Sequence, residues 1–246
     1  MPRPFARTEI LLGEETVAQL SSFKLLVVGL GGVGAYAAEI LGRSGIGELT
    51  IVDHDRVGLS NLNRQLVALH STVGQKKTAV MAERLQDINP ALQLNVKDMF
   101  LETDQTDELL IGEGYDFVLD CIDSIACKVA LVASAQRLNV PIISAMGAGN
   151  RIDASRVQVT RLDKTHHCPL AREMRNRLRK IGASLKYPVV SSDEPRRQPL
   201  AHQPVGGDHP GRPRAVNGTI AYLPALYGTL MAGEVCKQLI SKLENQ

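Results

Sequence analysis

The sequence predicts an α/β fold of the Rossmann type, a mainly parallel sheet with helices on both faces, and three observations predict it. Short apolar runs alternate with longer amphipathic segments through the first 155 residues. A glycine cluster, Gly29-Leu-Gly31-Gly32-Val-Gly34, directly follows the first of those runs and opens a helical segment. The next apolar run ends on an acidic residue, Asp53, 24 residues beyond Gly29.

The elements follow in order. Lys24-Leu-Leu-Val-Val28 reads as a buried strand, followed by a helix from about Gly32 to Arg43 and a second strand over Glu48–Val52. Gln75 to Ile88 has helical periodicity through Val80, Met81, Leu85 and Ile88, and stops before Asn89-Pro90. Gln93–Val96, Phe117–Asp120 and Pro141–Ser144 read as further strands, with a helix over Ile125–Leu138. Beyond Arg151 the alternation weakens. Val157–Thr160 suits a strand and Pro169–Ile181 a basic helix. Ser191–Arg214 holds five Pro, three Gly and two His, which predicts a loop. Tyr222–Leu243 reads as a buried closing helix with Pro224 in its first turn. The expected organisation is one unit over 1–246, with a nucleotide-binding half (1–155) and a basic half (156–246).

Composition narrows the function classes. Hydrophobic residues make up 44% and charged residues 22% of the 246, which excludes disorder over most of the length. Aromatic content of 4%, with no Trp, argues against a stacking platform for single-stranded nucleic acid. The cysteines at 121, 127, 168 and 236 have no CxxC spacing, against both a zinc knuckle and a disulfide framework. No apolar segment follows Met1, and the uncharged stretch Ala215–Gly233 is broken by Asn217, Gly218, Pro224 and Gly228. These features predict a cytoplasmic protein without a membrane span. Charge is uneven. Residues 1–155 carry 13 Lys/Arg against 19 Asp/Glu, net −6, whereas residues 156–214 carry 13 against 5, net +8. A large polyanion facing the second half explains this asymmetry, the alternatives being a solvated basic face or a contact with the acidic half. Arg172, Arg175, Arg177, Arg179 and Lys180 lie within nine residues, on a helix able to follow a phosphate backbone.

The glycine turn lets the backbone approach a phosphate at a helix N-terminus, and Asp53 is placed to accept hydrogen bonds from ribose hydroxyls. Read alone, the pair suggests a nicotinamide dehydrogenase. The residues that follow point elsewhere. Asp53-His-Asp55, Ser60-Asn61-Leu-Asn63-Arg64-Gln65 and Gly74-Gln75-Lys76-Lys77 put cations and amides where a phosphoryl-centre reaction needs them. Asp120-Cys-Ile-Asp123 brings carboxylates to the carboxyl edge of the sheet, and Asp123 suits Mg2+. Simpler readings stand beside these: a surface ion pair for Arg64, a solvated helix start for Lys77 and a turn cap for Asp55. For Cys121 the simpler reading is a small core residue, and for His166 and His167 solvated loop positions.

Together with Arg7 in an Arg-Thr-Glu-Ile-Leu-Leu-Gly stretch, these motifs give a chain that resembles the ThiF/MoeB/HesA superfamily. Its members are ATP-dependent carboxylate-adenylating relatives of ubiquitin-activating enzymes. Lys164-Thr165, Cys168-Pro-Leu-Ala171-Arg172 and Tyr187-Pro-Val-Val-Ser-Ser-Asp-Glu-Pro195 are similar to its tRNA threonylcarbamoyladenosine dehydratase branch. That branch uses ATP to close the threonylcarbamoyl group beside the tRNA anticodon into a ring. The resemblance implies that Gly29, Gly31, Gly32 and Gly34 cradle the ATP phosphates, with Asp53 at the ribose and Asp55 beside it. It implies that Asn61, Arg64 and Lys77 neutralise the triphosphate, that Asp123 holds Mg2+, and that Arg7 reaches the partner subunit's ATP in a homodimer. The chain departs from related patterns in lacking paired CxxC motifs and in having no Cys in the crossover stretch Val189–Glu194. Residues 196–214, with His202 and His209, fit the branch poorly. Two rival readings remain: adenylation of a ubiquitin-like sulfur carrier, and a non-catalytic nucleotide-binding adaptor in a sulfur-transfer complex with a cysteine desulfurase. The net +8 segment favours tRNA.

Overall fold

The computed structural model describes residues 4–198, 200–203 and 214–245. Strands β1 (Lys24–Val28), β2 (Glu48–Asp53), β3 (Gln93–Asp98), β4 (Phe117–Asp120), β5 (Ile142–Ala145), β6 (Val157–Arg161) and β7 (Pro188–Ser192) form one sheet in the order β3-β2-β1-β4-β5-β7-β6. Every pairing is parallel except that of the edge strand β6 with β7. Val28 aligns with Val52 on one side and Asp120 on the other, so β1, β2 and β4 end at one edge.

Period-two alternation sends successive side chains of each strand to opposite faces. Leu25 and Val27 of β1 join Leu49, Ile51 and Leu119 on one face. There they pack against helices α3 (Gly34–Arg43), α4 (Lys77–Ile88) and α8 (Tyr222–Glu244). Leu26 and Val28 join Val52 and Val118 on the other, under α5 (Thr106–Leu110), α6 (Ile125–Arg137) and α7 (Pro169–Lys180). Coverage of both faces is why the central strands read as unbroken apolar runs.

The strands and long helices expected from the sequence are all present, with ends shifted by a few residues. Three short helices have no counterpart in that reading: α1 (Ala6–Leu12), α2 (Glu14–Leu20) and α5. At five to seven residues they are too short to show a period and hold their shape by packing.

The expected loop over Ser191–Arg214 is corrected. Ser191 and Ser192 are buried in β7, between β5 and β6, because small hydroxyl side chains extend the Val189-Val190 run without crowding it. The expected crossover stretch 189–194 is therefore mostly a sheet strand. Farther on, β8 (Leu200–Gln203) and β9 (Arg214–Val216) pair as an antiparallel ribbon, Leu200 opposite Val216. Residues 204–213, including His209, lie outside the described residues. Among the described residues no helix is long and apolar enough to cross a membrane.

Candidate nucleotide and adenylation site

The site is built at the carboxyl edge shared by β1, β2 and β4. Gly29 has φ 93°, and a Cβ there would sit 2.9 Å from the Cys121 carbonyl oxygen. One at Gly34 would sit 1.7 Å from the Gly29 carbonyl oxygen, so only glycine fits either position. The turn leads into α3, whose first amide groups have no intrahelical acceptor. Two other segments close on it. A Cβ on Gly32 would lie 3.0 Å from Pro224 of α8 and 3.4 Å from the Arg64 carbonyl oxygen, and one on Gly31 would lie 3.9 Å from the Gln65 amide nitrogen.

Asp53 is buried and accepts from the backbone N–H groups of Leu30, at 2.5 Å, and Asp55, at 2.8 Å. It ties the glycine turn to the end of β2, and each carboxylate oxygen keeps a lone pair for a ribose hydroxyl. Asp55 is half-exposed. Its carboxylate lies 2.7 Å from the Lys77 ammonium and 3.1 Å from His54 Nε2. Lys77 is buried, so the solvated helix start describes its neighbour Lys76, which pairs with Asp98 instead. Asp55, offered by the sequence as a ligand contact or a turn cap, holds Lys77 in the structure.

Arg64 donates to the Ser60 carbonyl at 2.8 Å and the Asn63 side-chain oxygen at 2.9 Å. No carboxylate among the described residues pairs with it, so the surface ion pair is not what the structure contains. Asn63 in turn donates to the Thr219 carbonyl, which fastens this loop to the segment before α8. Asn61 accepts from the Gly58 N–H at 3.0 Å and keeps its amide NH2 as a donor. Gln65 is buried beside Gly31, and its side-chain oxygen has no hydrogen-bond partner among the described residues.

The pair Asp120 and Asp123 divides. Asp123 is exposed, takes part in no ion pair among the described residues, and follows Ile122, whose nitrogen lies 3.4 Å from a Cβ at Gly29. Asp120 is corrected as a candidate ligand. It is wholly buried, paired with Lys128 at 2.9 Å and accepting from Ser144 Oγ at 2.6 Å. The last residue of a central strand still lies beneath α6 and meets a helix side chain rather than solvent. Lys128 had no place in the sequence reading, although a lysine beside Cys127 and Leu131 on an inward helix face signals a buried partner. Mg2+ takes one or two protein carboxylates together with phosphate oxygens, and the exposed Asp123 carboxylate, without an ion-pair partner among the described residues, fits that demand. Ligand atoms of Asp53, His54 and Asp55 also converge within 4.8 Å, but backbone amides and Lys77 already occupy the two carboxylates.

Arg7 is not gathered with the others. It is exposed on α1, and the neighbouring Phe5 packs on Gly45, past the far end of α3. The ten residues of α3 span about 15 Å.

The basic helix is joined to this edge through Arg151. Its buried guanidinium donates to the carbonyls of Gly147, His167 and Glu194, linking the ends of β5 and β7 to the start of α7. On α7, Arg172, Arg177, Arg179 and Lys180 are exposed, and Arg177 pairs with Glu173. Arg175 is a correction to the expected five-residue stripe. It turns inward onto Thr165 and the Leu162 carbonyl, and burial, with Arg179 and Arg172 adding repulsion, holds it below the ordinary arginine range. His166 and His167 are exposed, as expected. The Cys168 sulfur is buried as the N-cap of α7, accepting from the Ala171 N–H at 3.5 Å.

The chain is similar to known proteins in sequence and in fold. A tRNA threonylcarbamoyladenosine dehydratase from Bacillus subtilis (strain 168) is 37% identical over 251 residues, covering 99% of this chain and 97% of the relative. Its counterpart from Escherichia coli (strain K12) is 43% identical over 175 residues, 71% of this chain and 65% of the relative. The crystal structure of E. coli tRNA N6-threonylcarbamoyladenosine dehydratase in complex with AMP superposes with a TM-score of 0.88 at 35% identity, over 99% of this chain and 96% of that one. The family model for the ThiF family matches residues 5–246, and the chain belongs to that family.

Proposed function

We propose that this protein is an ATP-dependent tRNA threonylcarbamoyladenosine dehydratase. The observation that carries the reading is Arg64, a cation without a carboxylate partner among the described residues, held by Ser60 and Asn63 against the glycine turn. Relatives of that name, and the E. coli enzyme's structure with AMP, support the substrate assignment.

The substrate carboxylate attacks the α-phosphate of ATP, giving an acyl-adenylate and pyrophosphate. The neighbouring carbamoyl group then attacks the activated carbonyl, and AMP leaves as the ring closes. The Gly29–Gly34 turn cradles the phosphates through its amides beyond Leu30, those of Gly29 and Leu30 being engaged by the Val52 carbonyl and Asp53, and Asp53 accepts from the ribose. Asn61, Arg64 and Lys77 offset the charge that builds on the triphosphate, Lys77 from a position fixed by Asp55. Asp123 would hold Mg2+, which would supply charge neutralisation at the phosphate oxygens.

On this reading the chain works as one unit, its first half binding the nucleotide and its basic half facing tRNA. The exposed charges Arg172, Arg179 and Lys180 supply the tRNA contact. Arg7 acts across a homodimer, a role supported by its exposure on α1 beside the exposed Ile10 and Leu11. A tRNA substrate places the protein in the cytoplasm, as an ATP-consuming enzyme of the ligase type.

Mass spectrometry of tRNA nucleosides after incubation with the protein, ATP and Mg2+ tests the reading. Loss of one water from threonylcarbamoyladenosine is the expected result. An unchanged nucleoside, with adenylation of a ubiquitin-like carrier instead, overturns it.

A further inference from the structure

Lys128 has no part in the steps above, yet it is completely buried. Its neighbours on the inward face of α6 are Cys127, Leu131 and Val132, where an apolar side chain packs without desolvating a charge. The ammonium has three protons, and three acceptors lie around it. They are Asp120 Oδ1 at 2.9 Å, the Asp120 carbonyl at 3.3 Å and the Ile122 carbonyl at 3.1 Å.

These bonds fix the turn that leads to Asp123 residue by residue. Asp120 also accepts from Ser144 Oγ and from the Ile122 N–H, at 2.6 and 3.2 Å, so both backbone polar groups of Ile122 are held by the Asp120–Lys128 pair. Cys121 donates from its N–H to the Val28 carbonyl at 2.9 Å. Its own carbonyl lies against Gly29, close enough to forbid a Cβ there. Asp123 is the first residue past this clamp, and its carboxylate is exposed.

We propose that Lys128 is a positioning residue that, with Asp120, sets the Asp123 carboxylate relative to the glycine turn and thereby tunes the affinity for Mg2+–ATP. The inference rests on the reading of Asp123 as the Mg2+ contact. Partners that orient a metal's ligands are worth about 10–100-fold in metal affinity.

Nucleotide binding by calorimetry, titrated against Mg2+, reads the effect without turnover. Lys128→Met should raise the half-saturating Mg2+ concentration about tenfold while changing Mg2+-free ATP affinity by less than about twofold. The double variant Asp120→Asn/Lys128→Met removes the uncompensated buried carboxylate. It should regain thermal stability over the single variant and keep the Mg2+ defect, a combination that loss of a merely structural pair does not produce. If neither yields folded protein, Lys128→Arg keeps a cation opposite Asp120. Its planar guanidinium cannot repeat the three-way bonding, so a shift of about threefold is expected. An unchanged Mg2+ response in these folded variants, alongside a defect in Asp123→Ala, overturns the inference alone. If Asp123→Ala also responds normally, the site reading falls and takes the inference with it.

Discussion

Around the glycine turn, Lys77 and Lys128 are buried and each is held by a carboxylate, whereas on α7 Arg172, Arg179 and Lys180 stand in solvent. The two regions use positive charge in opposite ways. Lys77, held by a fixed partner in a low-dielectric setting, is already oriented when phosphate charge develops, whereas the Lys128 ammonium is spent on the turn that it holds. Solvated cations lose little by moving, are screened by salt, and act additively on a long polyanion. Arg64 stands between these cases, half-buried and fixed by oxygen acceptors yet with no carboxylate to neutralise it among the described residues.

The comparison breaks most visibly at Arg64. Arg64→Ala should lower the rate of ATP–pyrophosphate exchange by about 10²–10³, as removal of one preorganised charge does, with little change in fold. Near-normal exchange would mean that Arg64 belongs with the solvated cations.

On α7 the expected effect is smaller and spread out. Reversing Arg172, Arg179 and Lys180 to Glu should weaken tRNA binding and reduce its salt slope by about 2, at about 0.7 per phosphate neutralised. ATP affinity should be unchanged. Equal tRNA affinity across salt concentrations would return the helix to a solvated face.

Arg175 sharpens the division inside α7 itself. Although it sits among the basic residues, its guanidinium serves the Leu162–Thr165 turn. Arg175→Met should cost about 1–3 kcal/mol of stability in denaturant unfolding through acceptors left unpaired, and should leave the tRNA salt slope alone. A slope change without a stability change would place Arg175 with its exposed neighbours.

The sheet and the glycine turn were legible because buried parallel strands are apolar runs and because a strand–glycine–helix sequence has one economical geometry. The loop Asn61–Gln65 was legible by residue type, and the structure brings Arg64 and Gln65 to Gly32 and Gly31. What was not legible depended on where elements pack. Asp120 and Asp123 look equivalent in sequence, and only the position of α6 separates a buried partner from an open carboxylate. Ser191 and Ser192 read as loop because hydroxyl side chains rarely fill a sheet interior. Arg175 carried a missed signal, since it lies four residues from Ala171 and three from Leu178, both buried, and so shares their face.

The smallest effect separates both regions from the thiol chemistry of ubiquitin-activating relatives. A carrier thiol is needed when an activated acyl group must pass to another protein. Here the attacking carbamoyl group belongs to the substrate, and intramolecular attack is worth about 7–11 kcal/mol as effective molarity. The four cysteines are free, and none is fully exposed. Burial pushes the Cys121 thiol up to about 12 and raises Cys236 as well, which leaves both as unreactive neutral thiols at pH 7. Cys168 caps α7 from a buried position. Each Cys→Ala variant should therefore retain most of its cyclisation activity, with a loss of about 1 kcal/mol or less in stability at Cys168, where a helix cap is lost. Iodoacetamide should leave turnover of the folded protein intact. Abolished product formation in one variant, with ATP binding preserved, would put a covalent thioester back into the mechanism.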